Sequence, residues 1–219
     1  MSTIGVFDSG MGGKSVARAL GRAFPDSAVI FRNDAQHVPY GDKTPEQLLS
    51  FIVPILQGLV DDGCQVIVIA CNSATTTIIT ELRERIAIPL VGVEPMVKPA
   101  AEQTKTGIIA VCATPLTLSS PRYAWLKKTY AKGITVLEPA CNDWAYMIEH
   151  NQVNEALIRQ QIIDVCTQGA DVIVLGCTHY HWIQETIQTM AEGHAQVIQP
   201  EQAIIAQVRK VLTGLGQLA

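Results

Sequence analysis

The chain has 219 residues, 48% of them hydrophobic, which is enough for one large packed domain or two small ones and excludes a disordered or collagen-like chain. Sixteen Lys and Arg against 20 Asp and Glu give a net charge of −4, so there is no basic footprint and nucleic-acid binding is not expected. No apolar run reaches the roughly 18 residues of a membrane span, so no membrane partner is expected.

The N-terminal MSTIGVFDSG lacks a basic segment followed by an apolar one, so no signal peptide is expected and the location read from it is cytoplasmic. Strands are expected at residues 4–7, 28–31, 66–70, 90–93, 107–111, 134–137, 172–175 and 196–198. Several are β-branched throughout without polar alternation, the pattern of parallel strands covered on both faces. Helix-length segments lie between them at 44–62, 74–86, 154–167 and 182–190. Thr44-Pro45 marks a helix start, a capping hydroxyl followed by proline at the first helical position. A last helix around 203–212 is expected to pack back on the first half of the chain. Strand–helix alternation of this kind predicts doubly wound α/β layers.

The chain also repeats itself. DGCQVIVIACN at 62–72 aligns with QGADVIVLGCT at 168–178, and Val93-Glu94-Pro95 aligns with Ile198-Gln199-Pro200 at nearly the same offset. Two matches at nearly one offset predict two pseudo-symmetric, parallel-sheet half-domains, residues 1–97 plus 201–219 and residues 98–200, facing a central cleft. Each half places one cysteine directly after a buried strand. In open α/β sheets ligands bind outside the carboxyl ends of the strands, so Cys71 and Cys177 are expected across one shared cleft.

Six cysteines stand at 64, 71, 112, 141, 166 and 177. A buried cysteine is most often a small hydrophobe, and Cys64, Cys112 and Cys166 fit that description. None pairs at C-x-x-C spacing, and Cys177 with His179 offers only two adjacent ligands, so no metal site is expected. A redox couple is the other reading of Cys71 and Cys177, and the reducing compartment argues against it. Two thiols on opposite sides of a substrate suit proton transfer. Inverting a carbon centre needs a base on one face and an acid on the other, and each group must play both parts. A free thiol titrates near 8.5, close enough to neutrality for both forms to be used. Asp8 ends the first strand near Cys71, His179 lies two residues after Cys177, and Asn72, Ser73 and Thr178 offer neutral hydrogen-bonding groups. The glycine-rich loop after Asp8 is neither GxGxxG nor GxxxxGK[ST], which favours a small substrate over a phosphate.

Seven segments resemble the aspartate/glutamate racemase superfamily, in its order and along nearly the whole chain. They are IGVFDSGMGG (4–13), VPYG (38–41), ACNSAT (70–75), GVEP (92–95), ATPLTLSSPRY (113–123), EPAC with the following MIE (138–141, 147–149) and LGCTHY (175–180). The resemblance implies an isomerase that moves a proton at the α-carbon of glutamate between two bases, with no cofactor. By position it implies Cys71 and Cys177 as the acid/base pair, with Asp8 assisting Cys71 and His179 and Glu149 assisting Cys177. It implies substrate contacts from Ser9, Tyr40, Gly41, Asn72, Ser73, Thr114, Thr117 and Thr178. It further implies a homodimer and a role in supplying D-glutamate for peptidoglycan. Taken alone, Pro39-Tyr40-Gly41 reads as a turn and Glu149 as a solvated helix carboxylate. Aspartate or another amino acid is the alternative substrate, and a binding protein without turnover is the alternative class. Lys14, His181, Trp182, Gln199 and Pro200 depart from the family pattern.

Overall fold

The computed structural model describes residues 2–40 and 43–217. In chain order the elements are β1 (Thr3–Asp8), α1 (Lys14–Ala23), β2 (Ala28–Asn33), α2 (Pro45–Asp61), β3 (Val66–Ile69), α3 (Asn72–Arg85) and β4 (Leu90–Gly92). They continue with α4 (Val97–Gln103), β5 (Ile108–Cys112), α5 (Pro115–Ser119), α6 (Pro121–Tyr130), β6 (Thr135–Leu137), α7 (Trp144–Glu149), α8 (Glu155–Thr167) and β7 (Val172–Leu175). A 3-10 helix (Thr178–Ile183), α9 (Gln184–Met190), β8 (Gln196–Ile198) and α10 (Glu201–Gly214) complete the chain. Among the described residues no helix is long and apolar enough to cross a membrane.

The chain divides into two compact units, one running up to Val93 and resuming at Pro200, the other Glu94–Gln199. Each contains one four-stranded parallel sheet, ordered β2-β1-β3-β4 in the first and β6-β5-β7-β8 in the second. The orders are the same when strands are counted within each unit, so the repeat in sequence is a repeat in topology.

In the first sheet Ile4, Val6, Val66, Val68, Val91 and Val93 point to one face. They pack against Val16 and Leu20 of α1 and Ile204, Val208 and Leu212 of α10. Side chains alternate across a strand, so Ile67 and Ile69 turn to the opposite face and are also fully buried. That double burial is why β3 reads as an unbroken apolar run. The second sheet follows the same rule. Ile109, Val111, Val172 and Val174 pack against α4 and α6. Ala110, Cys112, Ile173 and Leu175 pack against α8, α9, Trp144 and Tyr180.

Helix starts follow local chemistry. The Thr44 hydroxyl accepts from the Gln47 amide and the Gln47 side chain accepts from the Thr44 amide, a complete capping box ahead of Pro45. Asn154 caps α8 by accepting from the Leu157 amide at 3.1 Å. Two expectations need correction. The helix expected from residue 74 begins at Asn72, directly after Cys71, where the Thr75 amide already bonds the Cys71 carbonyl at 3.0 Å. The segment expected to become helical at 182 turns at Thr178 as a 3-10 helix, drawn in by the fully buried Tyr180.

Candidate active site

The two cysteines singled out by the repeat occupy equivalent backbone positions. The Ala70 amide donates to the Phe7 carbonyl and the Gly176 amide to the Cys112 carbonyl, each at 2.8 Å. In both units the residue just before the cysteine is thus still tied to the neighbouring strand, and the cysteine is the first residue to leave the sheet. Cys71 then starts α3 and Cys177 starts the 3-10 helix.

In the first unit, Asp8 at the end of β1 is fully buried and its Oδ1 accepts from the Gly10 amide at 3.0 Å. A Cβ added at Gly13 would lie 2.5 Å from Asp8 Cβ, so the loop passes this close only because residue 13 has no side chain. The Cys71 thiol donates to the Ser9 hydroxyl at 3.4 Å. Asp8, Ser9 and Cys71 therefore meet at the carboxyl ends of adjacent strands, β1 and β3. Tyr40 is buried, and its hydroxyl donates to Asp34 Oδ2 at 2.9 Å. Burial, followed by the neighbouring Cys71 and the bond to Asp34, pushes the Tyr40 phenol far up, so it stays protonated and donating.

Two residues here were not singled out in the sequence. Asp34 is buried, and His37 Nδ1 lies 2.7 Å from its Oδ1 while the His37 ring stacks on Phe51. The available signal was position: Asp34 directly follows β2, as Asp8 ends β1, and its amide bonds the Asp8 carbonyl at 3.3 Å.

The first turn of α3 carries Asn72 and Ser73, both buried. Cys71 provides no side-chain cap for this helix, and the start of a helix favours an anionic group. The Asn72 side chain is more telling. Its Nδ2 and Oδ1 are both buried, and neither has a hydrogen-bond partner among the described residues. Buried amides are rarely left so in native structures, and when they are a ligand is a natural partner.

In the second unit Cys177 Sγ lies 3.7 Å from His179 Nδ1, and His179 Nε2 is hydrogen bonded to Glu149 Oε2. The His179 side chain is 7% exposed and that of Glu149 17%. Glu149, which alone reads as a solvated helix carboxylate, is instead the end of a carboxylate–imidazole–thiol chain. Its partner lies thirty positions away, so no local pattern reveals it. Thr178 is buried beside Cys177. Thr114 caps α5, with its hydroxyl donating to the Thr117 hydroxyl at 3.1 Å and accepting from the Thr117 amide at 3.4 Å. Thr117 is fully buried. Gly41 lies outside the described residues.

Chemically, each unit thus has a thiol at a strand end with a hydrogen-bonding neighbour, a hydroxyl and carboxylate in one, an imidazole and carboxylate in the other. All six cysteines are free thiols.

The Asp/Glu/Hydantoin racemase family matches residues 10–208. The glutamate racemase of Ralstonia pickettii (strain 12J) is 35% identical over 217 residues, covering 97% of this chain and 77% of that protein. Among solved structures, Escherichia coli glutamate racemase in complex with L-glutamate and the activator UDP-MurNAc-ala is similar with a TM-score of 0.84 and 27% identity. That match covers 97% of this chain and 82% of the other. Glutamate racemase from Francisella tularensis subsp. tularensis SCHU S4 in complex with D-glutamate gives a TM-score of 0.82 at 27% identity, covering 100% and 83%.

Proposed function

The chain belongs to the Asp/Glu/Hydantoin racemase family and is an amino-acid racemase, and we propose that it interconverts L- and D-glutamate with two thiols and no cofactor. One observation carries the reading: Cys71 and Cys177 are the first residues off equivalent strands, each beside a second group able to handle a proton. The relatives bound to L-glutamate and to D-glutamate support a substrate accepted in both hands.

In this reading the two thiols take opposite faces of the α-carbon. One thiolate removes the α-proton, and the other thiol returns a proton to the opposite face. The reverse reaction exchanges the roles, which is why two groups of one chemical kind are suited to it. On the Cys71 side, the Ser9 hydroxyl hydrogen bonds the thiol and the Asp8 carboxylate assists it in gaining and losing the proton. On the Cys177 side, His179 performs that service and Glu149 fixes the imidazole. Tyr40 and Asp34 frame the first thiol. Asn72, Ser73, Thr178 and the first-turn amides of α3 receive the carboxylates of the substrate, with Thr114, Thr117 and Gly41 as further contacts. The same reading assigns a cytoplasmic, homodimeric enzyme that supplies D-glutamate for peptidoglycan, and six free thiols suit a reducing compartment.

The test follows optical rotation on incubation with each enantiomer of glutamate and of aspartate, without added cofactor. Both enantiomers of glutamate are expected to lose rotation, and aspartate to react far more slowly. One methylene is worth only about 10–200-fold in an apolar pocket, so the contrast must be measured in kcat/KM. Turnover of aspartate in preference to glutamate would overturn the substrate assignment, and turnover of neither would overturn the reaction.

A further inference from the structure

Glu149 reaches His179 from α7, a helix of only six residues. A helix that short does not hold itself in water. Its N-cap, Asp143, makes no side-chain capping bond. What fixes it is therefore packing and hydrogen bonding at its first residue. Trp144 is fully buried, and its ring meets the ring of Tyr180 at a centroid distance of 5.1 Å and an angle of 61°. Its indole N–H donates to Gln161 Oε1 on α8 at 2.8 Å. The Gln161 amide nitrogen in turn donates to the Ala140 carbonyl at 2.5 Å. One carboxamide thus holds both the start of α7 and the strand-to-helix loop before it. Tyr180 closes the arrangement from the other side, with its hydroxyl donating to the Cys141 carbonyl at 3.0 Å.

Tyr180 is the residue after His179, and Trp144 begins the helix that Glu149 ends. The Trp144–Tyr180 contact therefore joins the same two elements as the Glu149–His179 hydrogen bond. We propose that Trp144 and Gln161 are positioning residues that set the Glu149–His179 pair against Cys177. The proposal rests on the reading that Cys177 transfers the proton with help from His179. Trp144 is sealed from solvent and Gln161 bonds Trp144 and the Ala140 carbonyl, so in this proposal both act through the imidazole.

The variants are Trp144→Phe, which keeps a smaller aromatic ring and removes the N–H, and Gln161→Met, which keeps the length and removes both hydrogen bonds. Gln161 is only half-buried, so the second variant is expected to fold even where the first does not. Each is expected to lower kcat on the order of tenfold with KM little changed, because misaligned catalytic groups lose rate before they lose binding. The decisive readout is the primary isotope effect with α-deuterated L- and D-glutamate. Weakening one base raises only the barrier on its own face. The effect is expected to rise for the enantiomer deprotonated by Cys177 and to fall for its mirror image. A merely structural defect removes active enzyme and leaves both isotope effects where they were. His179→Gln serves as reference and is expected to give the same asymmetry more strongly. If it does and neither variant follows, the positioning role is overturned and the site reading survives. If His179→Gln itself leaves both effects unchanged, the reading of the Cys177 site falls, and the proposal with it.

Discussion

A buried carboxamide without partners costs about 1–3 kcal/mol, and Asn72, at the first position of α3, has none among the described residues. A residue selected for stability alone would not be asparagine here, since alanine removes the desolvation cost and is the better helix former. Asn72→Ala is therefore expected to leave thermal stability unchanged or raise it by about 1 kcal/mol, while raising KM for glutamate on the order of tenfold or more. Thermal unfolding and steady-state kinetics check both halves. A clear loss of stability with unaltered KM would show that the amide serves the fold. At this scale the sequence was informative where the signal was local. Cys71, Cys177, Asp8 and His179 could be read from their place at or near strand ends. Glu149 and Tyr40 could not be read unaided, because what defines each is a partner brought in by folding, His179 for one and Asp34 for the other.

At the scale of elements, apolar runs such as VIVI and VIVL were legible as strands because both faces of each sheet are covered. The stretch after Cys177 was not. Its Thr-His-Tyr-His-Trp run has no helical period, and the 3-10 turn depends on where Tyr180 is buried. That turn also carries His181, and burial, reinforced by neighbouring His179, holds its pKa down to about 4. An unfolded histidine titrates near 6.5, so between that value and about 4 the unfolded chain binds a proton that the folded chain refuses. Stability then rises with pH through this window and is lost on acidification, by about 3 kcal/mol from this group when pH falls from 7 to 4. Urea midpoints measured across that range should fall more steeply for the wild type than for His181→Gln. Parallel pH profiles for the two proteins would contradict the assignment.

For the molecule as a whole, the internal repeat was the most informative feature of the sequence. It anticipated two parallel sheets, and their strand orders are the same within each unit. The last helix was expected to pack back on the first half, and Ile204, Val208 and Leu212 of α10 join the apolar cluster of α1, β3 and β4 in that unit. The repeat was legible because buried parallel strands constrain composition strongly, whereas the helices around them diverge freely. It likewise singles out one cysteine per unit, and the central claim is that both are needed in either direction. The most direct test is racemisation of L- and of D-glutamate by Cys71→Ala and by Cys177→Ala, each followed by optical rotation beside the wild-type protein. The account predicts that each variant folds and that neither racemises either enantiomer; near-wild-type racemisation by either one would contradict it.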